Sequence, residues 1–199
     1  MNKYFHGVII LFLVNIYGCN HTAISKSTPT TVSDNQLLKL ILTRNYSDGG
    51  FTVVSAQTSV DFFLDAKEFI LDKLKESNVP VPTEVLTKLV NTFIQKNAQV
   101  VPLTLESEPE KGYLIDYDGK FKKYFEGNQS GGWGQWYKEN PRAHCSTQVS
   151  LPTYNEEHKL MLVYLGQQCD WLMGSGHIVL LKYEDNKLQE LRSVMLWVS

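Results

Sequence analysis

Hydrophobic and polar positions divide the chain into two halves of different rhythm. Leu37, Leu40 and Ile41 follow Ser33-Asp34-Asn35-Gln36, a capping box in which the serine caps and the glutamine reaches back. Thr58-Ser59-Val60-Asp61 repeats the Ser/Thr-x-x-Asp/Glu signal ahead of Phe62, Ala66, Phe69, Ile70 and Leu74, which recur at helical spacing until Asn78 and Pro80. Past Pro82, Leu86, Leu89, Val90, Phe93 and Ile94 line a third helical face. Between the first two helices, "FTVVSAQ" (51–57) has strand composition and is entered through Asp48-Gly49-Gly50.

After residue 98 strand patterns take over. "QVVPLTLE" (99–106) and "GYLIDYD" (112–118) are expected strands around the turn Glu108-Pro109-Glu110-Lys111. "GGWGQWYKENP" (131–141) is an expected short helix stopped by Pro141. Strands are expected at about 146–151, 159–168, 176–184 and 187–198, with Asp185-Asn186 turning into the last. The expected fold is α+β, N-terminal helices packed on a C-terminal antiparallel β-meander of four strands.

The first residues follow another plan. Lys3 precedes a uniformly apolar run, Val8 to Val14, and Ile16-Tyr17-Gly18 leads into Cys19. This is the layout of a secretory signal peptide; a bilayer span needs roughly 20 apolar residues, and Asn15 interrupts the run well before that. Ordinary secretion and an uncleaved anchor are the weaker readings beside a third. Ile16, Gly18 and Cys19 resemble the lipobox of bacterial lipoproteins: an aliphatic residue, then a small one, then cysteine. The resemblance implies acylation of Cys19, cleavage after Gly18, and anchoring in the cell envelope, since two or three acyl chains bind a membrane firmly at about 0.8 kcal/mol per buried CH₂. Asn20 is not the aspartate that retains many lipoproteins at an inner membrane, which favours the outer membrane in a host with two.

The expected layout is therefore a lipoprotein signal peptide at 1–18, a flexible tether at 19–32 rich in Ser and Thr with Pro29, and one globular domain at 33–199. Removing residues 1–18 takes away one lysine and no acid, so the formal charge moves from −2 to −3. A chain this close to neutral carries no electrostatic footprint for nucleic acid.

With Cys19 lipidated, Cys145 and Cys169 remain. An even number in an oxidising compartment suggests pairing. Facing residues of an antiparallel hairpin share a constant index sum, and that of Cys145 and Cys169 centres the turn on Glu157, inside the polar segment "TYNEEH". Such a bond is worth about 3 kcal/mol in the chain-entropy picture; two separate buried thiols are the alternative.

The C-terminal half resembles a group of uncharacterised bacterial lipoproteins. The resemblance rests on Gly132-Trp133, Trp136-Tyr137, Pro141, Ser150, Tyr154-Asn155, Leu162-Val163-Tyr164, Cys169, Gly174-Ser175-Gly176, Leu180-Leu181 and Trp197. Relatives often carry a second cysteine where this chain has Met173, which makes Cys145 the expected partner of Cys169. No activity transfers with the pattern.

Candidate chemistry is sparse. Cys145 with His144 or His177 could form a nucleophile and base, but a structural disulfide would remove the thiol. His144, His158 and His177 lack paired ligand spacing, so no metal site is expected. Asp116-Tyr117-Asp118-Gly119 reads as a turn, because Lys120 and Phe121 stand where a calcium loop needs a ligand and a glycine. Gly174-Ser175-Gly176 lacks the lysine of a phosphate loop and reads as a tight bend letting two backbones approach. Glu106, Glu108 and Glu110 beside Pro109 read as a solvated turn. No cofactor motif is present. Trp133, Trp136 and Tyr137 in the glycine-rich entry to the sheet, and Trp171 in the turn after Cys169, are large aromatics expected first as core. If a ligand site exists, Trp133, Trp136, Trp171 and His177 are expected to line it, partly exposed on one face, and to stack on a sugar or a partner's apolar residue. Two functions stay open: a non-enzymatic envelope protein that binds a protein, peptide or glycan partner, and an envelope hydrolase acting on peptidoglycan or peptides.

Overall fold

The computed structural model describes residues 32–44, 49–77, 79–126 and 132–199. Cys19, the expected signal peptide and nearly all of the expected tether lie outside them. Val32–Ser199 form one compact unit.

Helix α1 (Asp34–Thr43) starts where the capping box places it. The Gln36 backbone N–H donates to the Ser33 hydroxyl at 3.3 Å, and the Ser33 N–H donates to the Gln36 side chain at 2.8 Å. Strand β1 (Phe51–Ser55) follows.

The second capping signal does not open a helix. The Thr58 hydroxyl instead accepts the Val101 N–H at 3.0 Å, while the N–H groups of Thr58 and Ser59 go to the carbonyls of Val101 and Val149. These bonds hold the segment extended. A short 3-10 turn over Leu64–Ala66 precedes α2 (Lys67–Glu76), which begins at Lys67 instead of near Asp61. Phe62 therefore sits outside any helix, and both Phe62 and Phe69 are exposed, not core. Helix α3 (Thr83–Lys96) starts directly after Pro82 and buries Leu86, Leu89, Val90 and Phe93.

The strand expected over 99–106 is also absent. Its one sheet contact is the isolated bridge between Gln57 and Pro102, and proline has no N–H to extend a ladder. The segment is held by the Tyr117 hydroxyl, which donates to the carbonyls of Leu103 and Leu105 at 3.1 and 2.6 Å. Strand β2 (Tyr113–Asp116), helix α4 (Gly132–Glu139) and strands β3 (Ala143–Val149), β4 (Thr153–Asn155), β5 (Leu160–Asp170), β6 (Met173–Glu184) and β7 (Lys187–Val198) complete the unit.

The fold of the described residues is α+β: four helices, mostly early, on a seven-stranded sheet ordered β2-β1-β3-β5-β6-β7, with β4 beside β5. It is mixed, not purely antiparallel, because β1 runs parallel to both β2 and β3. The C-terminal part is the expected antiparallel meander, but with five strands. The extra one arises because the strand before the β5 turn breaks into β3 and β4. Four steps from Val149 to Thr153 match three steps from Leu165 back to Leu162, so one residue bulges out at Ser150–Pro152. Asn97 of the loop after α3 bridges the break, accepting the Leu151 N–H and donating to the Leu151 carbonyl.

Alternation assigns the two faces. Met161 and Val163 of β5, with Val179 and Leu181 of β6, pack under α1. Leu162 and Tyr164, with Ile178 and Leu180, pack under α2 and α3. Because both faces are covered, "LMLVYL" reads as one apolar run. On the α2/α3 face, but toward β1 and β2, α4 lays Trp133 and Trp136 with Phe121 over Val53 and Ala143.

Candidate functional site

The glycines of β6 do not make a bend. Gly176 faces Gly166 across the β5–β6 ladder. A Cβ on Gly176 would lie 2.0 Å from the Trp197 indole nitrogen, and one on Gly166 would lie 2.5 Å from the Tyr164 hydroxyl. The pair forms a slot for side chains, where the sequence suggested close backbones.

Cys145 and Cys169 are bonded, with Cα atoms 4.2 Å apart. They continue the β3–β5 register, in which Ser146 faces Gln168 and Thr147 faces Gln167. The Tyr137 hydroxyl of α4 donates to the carbonyls of His144 and Cys169, tying the helix to the same end of the sheet. Cys145 therefore offers no thiol nucleophile.

Three of the four expected ligand-site residues come together. Trp133 and Trp136 have ring centroids 5.3 Å apart, and Phe125 packs on Trp133 at 4.7 Å and edge-on to Trp171 at 6.3 Å. The shared open face does not follow. Trp133 and Trp136 are 4% and 1% exposed, so they are core, and only Trp171, at 63%, is open. His177 lies on the opposite face of the sheet, on the side of Val179 and Leu165, and exchanges hydrogen bonds with Ser175 and Ser193 at 3.0 Å each.

The acids near Pro109 are ion-paired. Glu108 binds Lys39 of α1 and Lys111, at 3.0 Å for the latter, and the hydrogen bond from Lys39 holds its carboxyl below the ordinary carboxylate range. Glu110 takes a two-pronged contact from Arg142 at 3.1 and 3.2 Å, which lowers its pKa in the same way. These pairs fix local structure.

A cleft of about 590 Å³ that was not expected from the sequence lies over the β2-β1-β3 part of the sheet. Val53 and Ser55 of β1 and Ser146 and Gln148 of β3 form its floor, and Gln57 and Tyr117 stand at the rim. Phe121, Lys122, Phe125, Glu126 and Trp136 form the opposite wall. Asp116 builds that wall: its two carboxylate oxygens accept the N–H groups of Phe121 and Lys122, both at 3.2 Å, folding the chain back over the sheet after the turn at Gly119. Lys122 is paired with Glu126 at 2.9 Å, and that hydrogen bond raises the Lys122 pKa. The Trp136 indole N–H is buried with no hydrogen-bond partner among the described residues. A smaller depression of about 180 Å³ adjoins the cleft, sharing Ser146 and Gln148 and bounded by Phe62 and Trp197. One signal for the cleft was present in the sequence: Ser55, Ser146 and Gln148 are polar, whereas the same face of β5 and β6 carries the core residues Leu162, Tyr164, Ile178 and Leu180 further along.

Among the described residues, no group of three or more His, Cys, Asp or Glu side chains could hold a metal ion, and no helix is long and apolar enough to cross a membrane. No family model, no curated protein and no solved structure matches the chain.

Proposed function

We propose that this protein is a non-enzymatic binding module of the bacterial envelope, held to a membrane by lipid on Cys19, and that the cleft over β1 and β3 takes its ligand. The observation that carries the binding reading is the cleft floor. Ser146 and Gln148 present side chains that form no hydrogen bond among the described residues, inside a concavity walled by aromatic rings. Concave sites of this size with a few convergent polar groups are where proteins hold small ligands. The lipobox-like segment Ile16-Tyr17-Gly18-Cys19 supports the anchor.

Hydrolysis is the weaker reading. The carboxylates beside the cleft are Asp116, engaged with two backbone N–H groups, and Glu126, paired with Lys122. Neither is poised as a general acid.

The test is hydrogen exchange of the mature protein mixed with soluble fragments of its own envelope. Slowed exchange at Ser55–Gln57 and Tyr117–Gly119, with the fragments recovered intact, is the expected result. Unchanged exchange overturns the cleft as a ligand site, and cleaved fragments overturn the non-enzymatic reading.

A further inference from the structure

We propose that the cleft and the adjoining depression form one groove running across the strands from Tyr117 to Phe62, and that its occupant is an uncharged oligosaccharide chain. This rests on the reading of the cleft as a ligand site and adds the class and length of the ligand.

The two concavities share Ser146 and Gln148, so their floors are continuous. The ends are marked by open aromatic rings. Tyr117 is 53% exposed at one end; Phe62, 41% exposed, stands at the other against Trp197, with ring centroids 5.4 Å apart. From β2, which ends at Asp116, to β6, where Gly176 seats Trp197, there are four strand-to-strand steps, roughly 19 Å at the usual sheet spacing. A single sugar ring would leave most of that length empty.

The floor chemistry selects the class. Ser146 and Gln148 can each donate and accept, and neither is charged. The charges at the rim are satisfied locally, Lys122 by Glu126 and Asp116 by backbone N–H groups. An ionic ligand would lose hydration with no counter-charge in return. A peptide strand binds by adding to an open sheet edge, but the groove crosses β1, β3 and β5, whose backbone groups are already paired in ladders. An amphipathic helix would need an apolar floor. A sugar chain fits all of these features: its hydroxyls meet the serine and glutamine, and its C–H faces meet the rings at the two ends.

The test is titration calorimetry of the full mature protein with N-acetylglucosamine and glucose oligomers, each from monomer to hexamer. Gln148→Ala and Phe62→Ala are run beside the wild type, with melting temperatures as the check on folding. The expected result is affinity that rises with length. Gln148→Ala should weaken trimer and hexamer alike, whereas Phe62→Ala weakens the hexamer by about tenfold and leaves the trimer unchanged. Affinity independent of length, or a hexamer indifferent to Phe62→Ala, overturns the groove and leaves the cleft standing. No binding of any oligomer, while envelope fragments still slow exchange at the cleft, overturns the ligand class alone. No response in either experiment overturns the ligand site itself.

Discussion

Trp197 donates its indole N–H to the Tyr164 hydroxyl at 2.9 Å, above the facing glycines Gly166 and Gly176. The contact joins the last strand to the middle of the sheet, and Phe62 packs on both rings, tilted at 5.4 Å from Trp197 and stacked at 5.9 Å from Tyr164. Burial pushes the Tyr164 phenol pKa up to about 12, against which the Trp197 hydrogen bond works in the opposite sense.

The raised phenol pKa has a defined consequence for stability. An unfolded tyrosine loses its proton near pH 10. Between about pH 10 and pH 12 the unfolded chain therefore binds fewer protons than the native one, and stability falls as pH rises. Below pH 10 the contribution is complete; above about 12 it is gone. The share of that loss due to Tyr164 is at most about 2.7 kcal/mol, and the phenols of Tyr113, Tyr117, Tyr124, Tyr137 and Tyr154, also raised, add to it. Denaturant titrations across this range should show the loss, and Tyr164→Phe should remove the Tyr164 share of it while costing about 1–2 kcal/mol at neutral pH by leaving the Trp197 N–H unpaired.

Gly176→Ala should be disruptive for a steric reason. The new methyl would sit 2.0 Å from the Trp197 nitrogen, so the indole must leave its slot and expose Tyr164. A loss of about 1–3 kcal/mol is expected, read as a lower melting temperature. Gly134→Ala is the control, since nothing lies within 4 Å of its would-be Cβ.

The Cys145–Cys169 bond spans a sequence separation of 24 residues. Constraining that loop in the unfolded chain is worth about 3 kcal/mol, or about 6–12 °C for a chain of this size. Thermal unfolding with and without reductant measures it. Cys145→Ser with Cys169→Ser should reproduce the reduced curve.

The features legible in the sequence were those made by near neighbours or by simple register. The Ser33–Gln36 capping box is a contact across three residues, and the pairing of Cys145 with Cys169 lies within one residue of the hairpin register, the bulge at Ser150–Pro152 shifting the index sum from 315 beside the turn to 314 at the cysteines. The failures share the opposite cause. Thr58 carries the local signature of a helix cap, but Val101, distant in sequence, takes its hydroxyl. Residues 99–106 have strand composition, but Pro102 and the Tyr117 hydroxyl decide how the segment is held. The open ligand face that Trp133 and Trp136 offered beside their core reading fails because α4 turns both inward onto Val53, the burial their size suggested. The groove was hidden for the same reason, since its floor joins β1 to β3, which are distant in sequence and adjacent only in the folded sheet.

Burial separates the tryptophans energetically. Trp136→Ala removes a fully buried ring packed on Phe121, Tyr124, Phe125 and Trp133, and should cost about 3–5 kcal/mol. Trp171→Ala removes a ring that is mostly in solvent and should cost less than about 1 kcal/mol. Chemical denaturation of the two variants checks the ordering; equal costs would contradict the packing described.

Lipid attachment is tested directly at Cys19. Mass spectrometry of the mature N-terminal peptide should find acyl mass on that cysteine, and Cys19→Ala should release the protein from membranes. A mature chain that begins elsewhere would remove the anchor and leave the cleft as it is.

The cleft wall depends on one carboxylate. Asp116 accepts from two backbone N–H groups, and its removal strands both at the start of the segment that carries Phe121, Lys122 and Phe125. Asp116→Ala should cost about 2–3 kcal/mol, since each bond to a charged acceptor is individually strong but this segment is partly open to water. Its more specific effect should be local. Hydrogen exchange at Phe121 and Lys122 should quicken by more than the global loss of stability accounts for, and ligand affinity should fall with it. Asp116→Asn keeps one acceptor oxygen and should be intermediate in both. If Asp116→Ala lowers global stability but leaves exchange at Phe121 and Lys122 tracking the rest of the sheet, the wall does not hang on this residue. The shape of the cleft would then be set by Trp136 and Phe125 packing alone.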